Sequence, residues 1–135
     1  QSVMHTMKDR PDFAMLVGPE EITGECVLLG GHGGINGGAN MFPELYVGMY
    51  NAAKAGNLPE VLRLQQYIMQ ISSSIYTVGQ HGSSYLKGLK CALSILGVIN
   101  DDFVASPFYK FHAPEREKIR QALERLPIEN GKLIL

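Results

Sequence analysis

Short apolar runs and helical periods succeed one another along the first third of the chain. The run FAMLV at residues 13–17 lies between turn signals, which predicts a short strand buried on both faces. GPEE at residues 18–21 then begins a helix that we expect to end at about Leu29, before two glycines. Residues 33–36 form a second strand candidate, and Pro43 begins a second helix. The order strand, helix, strand, helix predicts a parallel α/β unit.

The rest of the chain is helical in its spacing of apolar residues. Residues 2–8 resemble the end of a helix. Further helices are predicted from Pro43 to about residue 55, then over residues 59–78, 84–96 and 114–126, with a break at 78–82 and a linker at 100–111. Helix therefore dominates, with two short strands. Two strands cannot complete a parallel sheet, because their edges keep unpaired backbone groups, so the pattern predicts either a larger fold or self-association.

Composition narrows the class of protein. The chain has 135 residues, enough for one domain with a core, and 12 basic against 13 acidic residues give a net charge of −1. No block of like charge predicts a nucleic-acid or membrane surface, and no apolar run approaches the ~20 residues of a membrane-spanning helix. No signal peptide is visible at the start. A first residue other than Met fits a segment of a longer chain.

Cysteine and histidine usage gives no metal or disulfide signal. Cys26 and Cys91 are each embedded in an apolar helical pattern, which predicts small buried hydrophobes in a reducing cytoplasm. The four histidines lack HxxxH or HxH spacing, so we expect neither a zinc site nor any other metal or cofactor. The glycine-rich stretch has Asn36 where GxGxxG needs glycine, and neither GK[ST] nor GxSxG occurs, so nucleotide binding and triad hydrolysis lack support.

Three segments together carry a family resemblance: GPEE at residues 18–21, GGHGGINGGANMFPELY at 30–46, and GLKCALSILG at 88–97. They resemble the last two βα units, and a later helix, of the dihydrodipicolinate synthase and N-acetylneuraminate lyase superfamily. The resemblance extends from Arg10 to Leu126. It implies pyruvate-dependent class I aldolase chemistry on a partial TIM (β/α)8 barrel. Residues 1–56 would form the barrel units, and residues 57–135 the C-terminal helical region.

The resemblance implies a first substrate-binding loop at the GPEE turn. Gly18 would leave room for substrate near the backbone. Glu20 and Glu21 take the Asp and Glu positions of a Gly-x-Asp-Glu motif that contacts the polyol part of the substrate in the lyase branch. Glutamate at position 20 adds a methylene where the lyase branch has aspartate, so the resemblance does not extend to the same sugar. From the residues alone, acids at a helix N-terminus are the preferred explanation of both glutamates, and the resemblance makes substrate contact an equally good one.

A second substrate-binding loop follows the second strand. The backbone at Ile35 and Asn36 matches groups that flank the pyruvyl carboxylate and a substrate hydroxyl in the family. Gly37 lies where the lyase branch has a polar side chain, so one hydrogen bond would be lost or supplied by Asn36. Close approach of helix and strand also accounts for glycines in this stretch.

The catalytic lysine of the family is not expected in this chain. By resemblance, the Schiff-base lysine lies at the end of the sixth strand, about 25 residues before the GPEE turn. Only seventeen residues precede Gly18. Lys87 and Lys90 lie on an amphipathic helix, where extension of the side chain along the surface explains them better than a dry pocket does. The chain thus resembles the C-terminal half of such a protein, with no catalytic residue of its own.

Two hypotheses follow. In the first, the chain belongs to a cytoplasmic, homo-oligomeric aldolase or lyase that acts on a 2-keto acid such as pyruvate, and it supplies pocket loops while being inactive alone. In the second, it is a non-catalytic ordered fragment or helical oligomerisation module. The sequence leaves open whether the substrate is a sialic acid, a 2-keto-3-deoxy sugar acid or an aspartate-semialdehyde-type aldehyde.

Overall fold

A computed structural model describes residues 1–79 and 81–135, so Gln80, within the predicted break at 78–82, lies outside the described residues. Six α-helices account for most of the secondary structure there: α1 (Ser2–Thr6), α2 (Thr23–Leu28), α3 (Pro43–Lys54), α4 (Leu58–Ile75), α5 (Ser84–Ile95) and α6 (Ala113–Glu124). The four short strands are β1 (Leu16–Val17), β2 (Gly33–Gly34), β3 (Ile128–Glu129) and β4 (Lys132–Leu133). The predicted helix-dominated α/β class is confirmed.

Strands β1 and β2 are parallel, and α2 connects them. Leu16 pairs with Gly33 and Val17 with Gly34, which confirms the predicted strand–helix–strand order. The prediction of a five-residue strand buried on both faces is wrong. The strand has two residues, and Leu16 is 49% exposed, because β2 is its one partner and no described element covers the rest of it.

A hairpin near the C-terminus corrects the prediction of two strands to four. Strands β3 and β4 pair antiparallel, with Ile128 opposite Leu133. Asn130 and Gly131 join them, and both have positive φ angles, 51° and 76°. A two-residue turn with two positive φ angles matches the right-handed twist of a hairpin, and Asn-Gly is the pair that adopts it at least strain. That signal was present in the sequence.

The core lies between α3, α4 and α6. Helix α3 packs against α2 and α4, and α4 packs against α5 and α6. Large side chains with almost no exposure come from these helices and from the residue before α3: Phe42, Leu45, Met49, Leu64, Ile68, Ile71, Ile75 and Ile119. Apolar residues at helical spacing on both sides of residue 57 enter one cluster. The division into 1–56 and 57–135 stays a prediction.

Helix ends follow the local sequence signals. Gly56 and Gly97 have positive φ angles of 68° and 73° and come directly after the last turns of α3 and α5. The Asn57 side chain accepts a hydrogen bond from the Glu60 N–H at 3.3 Å, which caps α4. Ser83 is the N-cap residue of α5 and makes no side-chain capping bond among the described residues. Helix α4 ends three residues before the predicted boundary.

A buried ion pair holds the linker between α5 and α6. Asp102 is 5% exposed and accepts from Arg116 Nη1 at 2.7 Å. Arg116 Nη2 also donates to Ser94 Oγ on α5 at 3.2 Å, so one guanidinium joins both helices to the linker. Lys90 Nζ donates to the Phe103 carbonyl oxygen at 2.7 Å. A buried carboxylate is stable only with such partners, so Arg116 fixes the path of this segment.

Gly88 provides a test of the contact between α4 and α5. A Cβ at this position would overlap the carbonyl oxygen of Ile75. We expect Gly88→Ala to destabilise the protein by about 1–3 kcal/mol, because the backbones of the two helices would be forced apart. Chemical denaturation measures the change in the free energy of unfolding.

Gly48→Ala is the matched control, since Gly48 lies inside α3 and its added Cβ would come no closer than 3.4 Å to Leu64. Helix propensity alone should stabilise that variant by about 0.5–1 kcal/mol. A similar stabilisation by Gly88→Ala would contradict the close helix contact.

Candidate functional site

Two polar loops meet at the carboxyl ends of β1 and β2. Asn36, after β2, donates from Nδ2 to the Gly18 carbonyl oxygen at 3.1 Å, and its Oδ1 accepts from Thr23 Oγ1 at 3.1 Å. The Ile35 N–H donates to the Val17 carbonyl oxygen at 2.9 Å. Because adjacent parallel strands end at the same edge of a sheet, the two predicted substrate loops lie side by side. The structure therefore brings them together as one site.

Glu20 makes the second connection between the loops, and it lies inside the protein. Its side chain is 2% exposed. Oε2 accepts from the Gly38 N–H at 2.8 Å, and Oε1 accepts from Tyr46 Oη at 2.8 Å. Gly38 belongs to the 3-10 turn Gly37–Asn40 after β2, while Tyr46 lies on α3. One carboxyl group thus joins the first loop to the second loop and to the core helix.

Three tyrosines surround this carboxyl group. The rings of Tyr76 and Tyr85 meet edge to face with centroids 4.6 Å apart. Burial raises the pKa of Tyr46 far above its ordinary value, and neighbouring Glu20 adds to the shift. Burial also raises the pKa of Tyr76, with further contributions from Tyr46 and Glu20. The Tyr76 hydroxyl has no hydrogen-bond partner within residues 1–79 and 81–135. All three phenols remain protonated at neutral pH.

Two successive glycines of the second loop lie against side chains from other elements. A Cβ on Gly38 would overlap Tyr46 Oη and would lie 2.8 Å from Glu20 Oε1. A Cβ on Gly37 would overlap Tyr85 Oη and would approach Leu89 to 3.0 Å. The space beside the turn is thus filled by groups from three other elements. The steric explanation of these glycines applies at both positions.

Glu21 points away from Glu20 and contacts α4. Its side chain accepts a short hydrogen bond from Ser72 Oγ, and its backbone oxygen accepts from Gln65 Nε2 at 2.7 Å. The side chain is half-buried. Gln65 and Ser72 are seven residues apart and lie on one face of α4. That spacing is visible in the sequence, but it does not indicate that the partner of both residues is Glu21.

The six predicted site residues differ in accessibility. Gly18 and Ile35 are exposed, Ile35 by 73%; Glu21, Asn36 and Gly37 are half-buried; and Glu20 is buried. A concavity of about 320 Å³ lies beside the second loop, and its walls include Leu16, Thr23, Gly34, Asn36, Tyr46 and Tyr50. The substrate-binding roles of the six residues stay predictions. Sequence reasoning missed Gly38 and Tyr46, because no local pattern relates a tyrosine on α3 to a carboxyl 26 residues earlier.

Other candidate chemistry lies apart from these loops. Lys87 Nζ is 5.6 Å from the centroid of the Phe111 ring, and Lys90 bonds the linker, so neither lysine enters the site. Both cysteines are buried, as predicted. In the described part of the chain, no cluster of three His, Cys, Asp or Glu residues is arranged to hold a metal ion. No helix there is both long and apolar enough to cross a membrane.

Polar loops at the carboxyl ends of parallel strands, backed by a helical core, define the class as an α/β protein with a candidate small-molecule site. The family follows from comparison with known proteins. The model of the dihydrodipicolinate synthetase family matches residues 1–126, and the chain belongs to that family. The family is part of a superfamily of pyruvate-dependent class I aldolases, which confirms the resemblance noted in the sequence.

The sequence and structure alignments with similar proteins include nearly the whole of this chain. A structure from Bacteroides thetaiotaomicron, described as dihydrodipicolinate synthase, is 70% identical with a TM-score of 0.90 over 93% of this chain and 42% of its own. Probable 2-dehydro-3-deoxy-D-pentonate aldolase YjhH of Escherichia coli K12 is 26% identical over 91% of this chain and 40% of its own length. YagE of Escherichia coli K12, solved with pyruvate, shares the fold at 23% identity, with a TM-score of 0.79 over 92% of this chain and 41% of its own. The chain therefore spans about two fifths of these relatives.

The tyrosine cluster predicts an unusual alkaline titration. Of the six tyrosines, Tyr46 and Tyr76 should not ionise while the protein is folded, because their pKa values are raised by burial. Folding favours the neutral form of both phenols. Their contribution to the free energy of unfolding is therefore complete below about pH 10, the pKa of tyrosine in the unfolded chain, and it declines as the pH rises above that value. Absorbance at 295 nm during a pH titration measures ionisation.

Circular dichroism during the same titration separates ionisation from unfolding. We expect the last two phenols to titrate only with loss of helix. Tyr76→Phe should remove one delayed phenol, whereas Tyr109→Phe, at an exposed position, should remove one that titrates early. Complete ionisation of all six tyrosines in a protein that keeps its helical signal would contradict the buried cluster.

Proposed function

We propose that this chain is the C-terminal part of a pyruvate-dependent class I aldolase or lyase. Residues 1–56 would supply the last two βα units of a (β/α)8 barrel, and residues 57–135 a C-terminal helical region. The observation that carries the proposal is the pair of hydrogen-bonded loops at the carboxyl ends of β1 and β2. Active sites of (β/α)8 barrels are built from the loops at that end.

The loops offer the groups that a small keto acid or sugar acid needs. Gly18 and Ile35 are exposed, so a carboxylate or hydroxyl can reach the loops beside them. Half-buried Glu21 and Asn36 supply a carboxylate acceptor and an amide at the loops, and Gly37 adds no side chain of its own. The pyruvate in the YagE structure and the aldolase description of YjhH support a 2-keto acid as the substrate class. The proposal leaves the aldehyde partner open.

The chemistry of such an enzyme requires a lysine in a dry pocket. An amine of lowered pKa attacks the keto carbon, water leaves, and the resulting iminium accepts the electron pair of the α-carbanion. All seven lysines of this chain are described, and none is buried. The proposal therefore assigns the Schiff-base lysine to a part of the protein that precedes residue 1. The chain would shape the pocket and would be inactive alone.

The alternative proposal is a helical association module without catalysis. Apolar side chains at least 39% exposed lie along α2 and the start of α4: Leu28, Leu29, Leu58 and Leu62. Such a surface is larger than scattered single residues and fits contact with further protein. In the aldolase proposal the same surface contacts the rest of the longer protein or another subunit of a homo-oligomer. The surface therefore does not distinguish the aldolase proposal from the association module.

Borohydride trapping with pyruvate tests the proposal. We expect no reduced pyruvyl adduct on the 135-residue chain, because it has no buried lysine, and one adduct per subunit on the gene-encoded protein that contains it. Intact mass gives the stoichiometry, and peptide mapping gives the modified lysine.

Two outcomes would contradict the proposal. A stoichiometric adduct at Lys87 or Lys90 would place the chemistry on α5. The absence of an adduct on the gene-encoded protein would favour the association module. Lys118→Arg, at an exposed position on α6, is the matched control and should leave trapping unchanged.

A further inference from the structure

Glu20 stands apart from the other predicted substrate contacts because both of its carboxyl oxygens already receive hydrogen bonds from the protein. We propose that Glu20 is a positioning residue, which orders the Gly37–Asn40 turn through Gly38 and Tyr46 and does not itself contact the substrate. The inference rests on the proposed function, since it concerns the same pocket. With Glu20 as a positioning residue, the substrate is recognised by other groups of the two loops.

The two loops exchange hydrogen bonds in both directions. Glu20 of the first loop accepts from the Gly38 N–H of the second at 2.8 Å. Asn36 of the second loop donates to the Gly18 carbonyl oxygen of the first at 3.1 Å. Glu20 is 2% exposed, whereas Asn36 and Gly18 are accessible. The buried bond therefore sets the distance between the loops, and the accessible groups remain at the surface of the pocket.

The buried end of this connection is rigid. Tyr46 lies in the first turns of α3, beside Leu45 and close to Met49, both of which have no exposure. Its hydroxyl donates to Glu20 Oε1, and Gly38 has no Cβ that would occupy the same space. A carboxyl held by a core helix is a fixed anchor for a turn that has no regular strand to hold it.

Replacing the carboxyl by an amide creates a specific conflict. Both partners of Glu20, the Gly38 N–H and the Tyr46 hydroxyl as oriented here, are donors. Glutamine offers one acceptor oxygen and an NH2 group that also donates. Glu20→Gln therefore keeps the size of the side chain but removes the charged acceptor. Either one of the two bonds is lost, or the Tyr46 hydroxyl rotates to accept from the amide and the Gly38 N–H keeps a weaker, neutral bond. In both cases the turn is held less tightly to α3.

Amide hydrogen exchange tests this anchor without reference to catalysis. In Glu20→Gln we expect the Gly38 N–H to exchange about 10-fold faster or more, because a hydrogen bond to a charged group is lost. Amides inside α4 should change far less. Tyr46→Phe keeps the bond between Glu20 and Gly38, so the Gly38 N–H should accelerate only a few-fold. Glu124→Gln, at an exposed position on α6, is the matched control and should leave exchange unchanged.

Kinetics on the gene-encoded protein separates positioning from direct contact. With pyruvate and either glyceraldehyde or propanal as acceptor, Glu20→Gln should lower kcat about 10-fold or more for both aldehydes, since a displaced turn misaligns the pocket. Pyruvate trapping should persist, and the ratio of kcat/KM values for the two aldehydes should stay within about twofold of wild type, because the lost contact is to the turn and not to a hydroxyl.

Each result supports or overturns the inference. A selective loss of glyceraldehyde preference in Glu20→Gln would mean that Glu20 binds the substrate hydroxyl. Unchanged Gly38 exchange would overturn the positioning role whatever the activity. Where the wild-type protein traps no pyruvate, the proposed function fails, and the exchange measurement still decides whether Glu20 anchors the turn. If Glu20→Gln does not fold, Tyr46→Phe is the test. Unaltered kcat together with unaltered Gly38 exchange in Tyr46→Phe would overturn the inference.

Discussion

The structure depends on one buried carboxyl group. Removing a carboxylate from water costs several kcal/mol unless its oxygens find donors, and Glu20 finds them in the Gly38 N–H and the Tyr46 hydroxyl. That requirement accounts for features far apart in the chain. Position 38 has to be glycine, the tyrosine of α3 has to face the loops, and the rings of Tyr76 and Tyr85 pack edge to face beside them. This polar group thus links the loops after β1 and β2 to each other and to α3.

The helical core makes this arrangement stable. Strands β1 and β2 have two residues each, so their ladder contributes few hydrogen bonds, and most stabilisation comes from apolar burial between α3, α4 and α6. The loops are fastened to this core at three points: Glu20 to Tyr46 on α3, and Glu21 to both Ser72 and Gln65 on α4. The precision of the candidate pocket is therefore a property of helix packing more than of the short sheet.

Local signals made the helices predictable, and long-range contacts made the site unpredictable. Proline at the first turn and glycine after the last turn marked α3, and Asn57 marked the start of α4. The Asn130-Gly131 hairpin carried an equally local signal. By contrast, GPEE contains two adjacent glutamates, and nothing local indicates which is buried. The difference comes from Tyr46 and Gly38, which fold against position 20 from 26 and 18 residues away.

Because Glu20 is buried, the accessible polar groups of the pocket come from other residues. With that carboxyl withdrawn, the accessible polar groups are Glu21, Asn36 and the backbone of the two loops. At Gly37 the space of a side chain is taken by the Tyr85 hydroxyl from α5, so a side chain at position 37 would require that hydroxyl to move. A hydroxyl contributed by a helix that packs on the core moves with that helix, whereas one contributed by a loop residue moves with the loop. Helix α5 therefore contributes Tyr85 to the surroundings of the second loop.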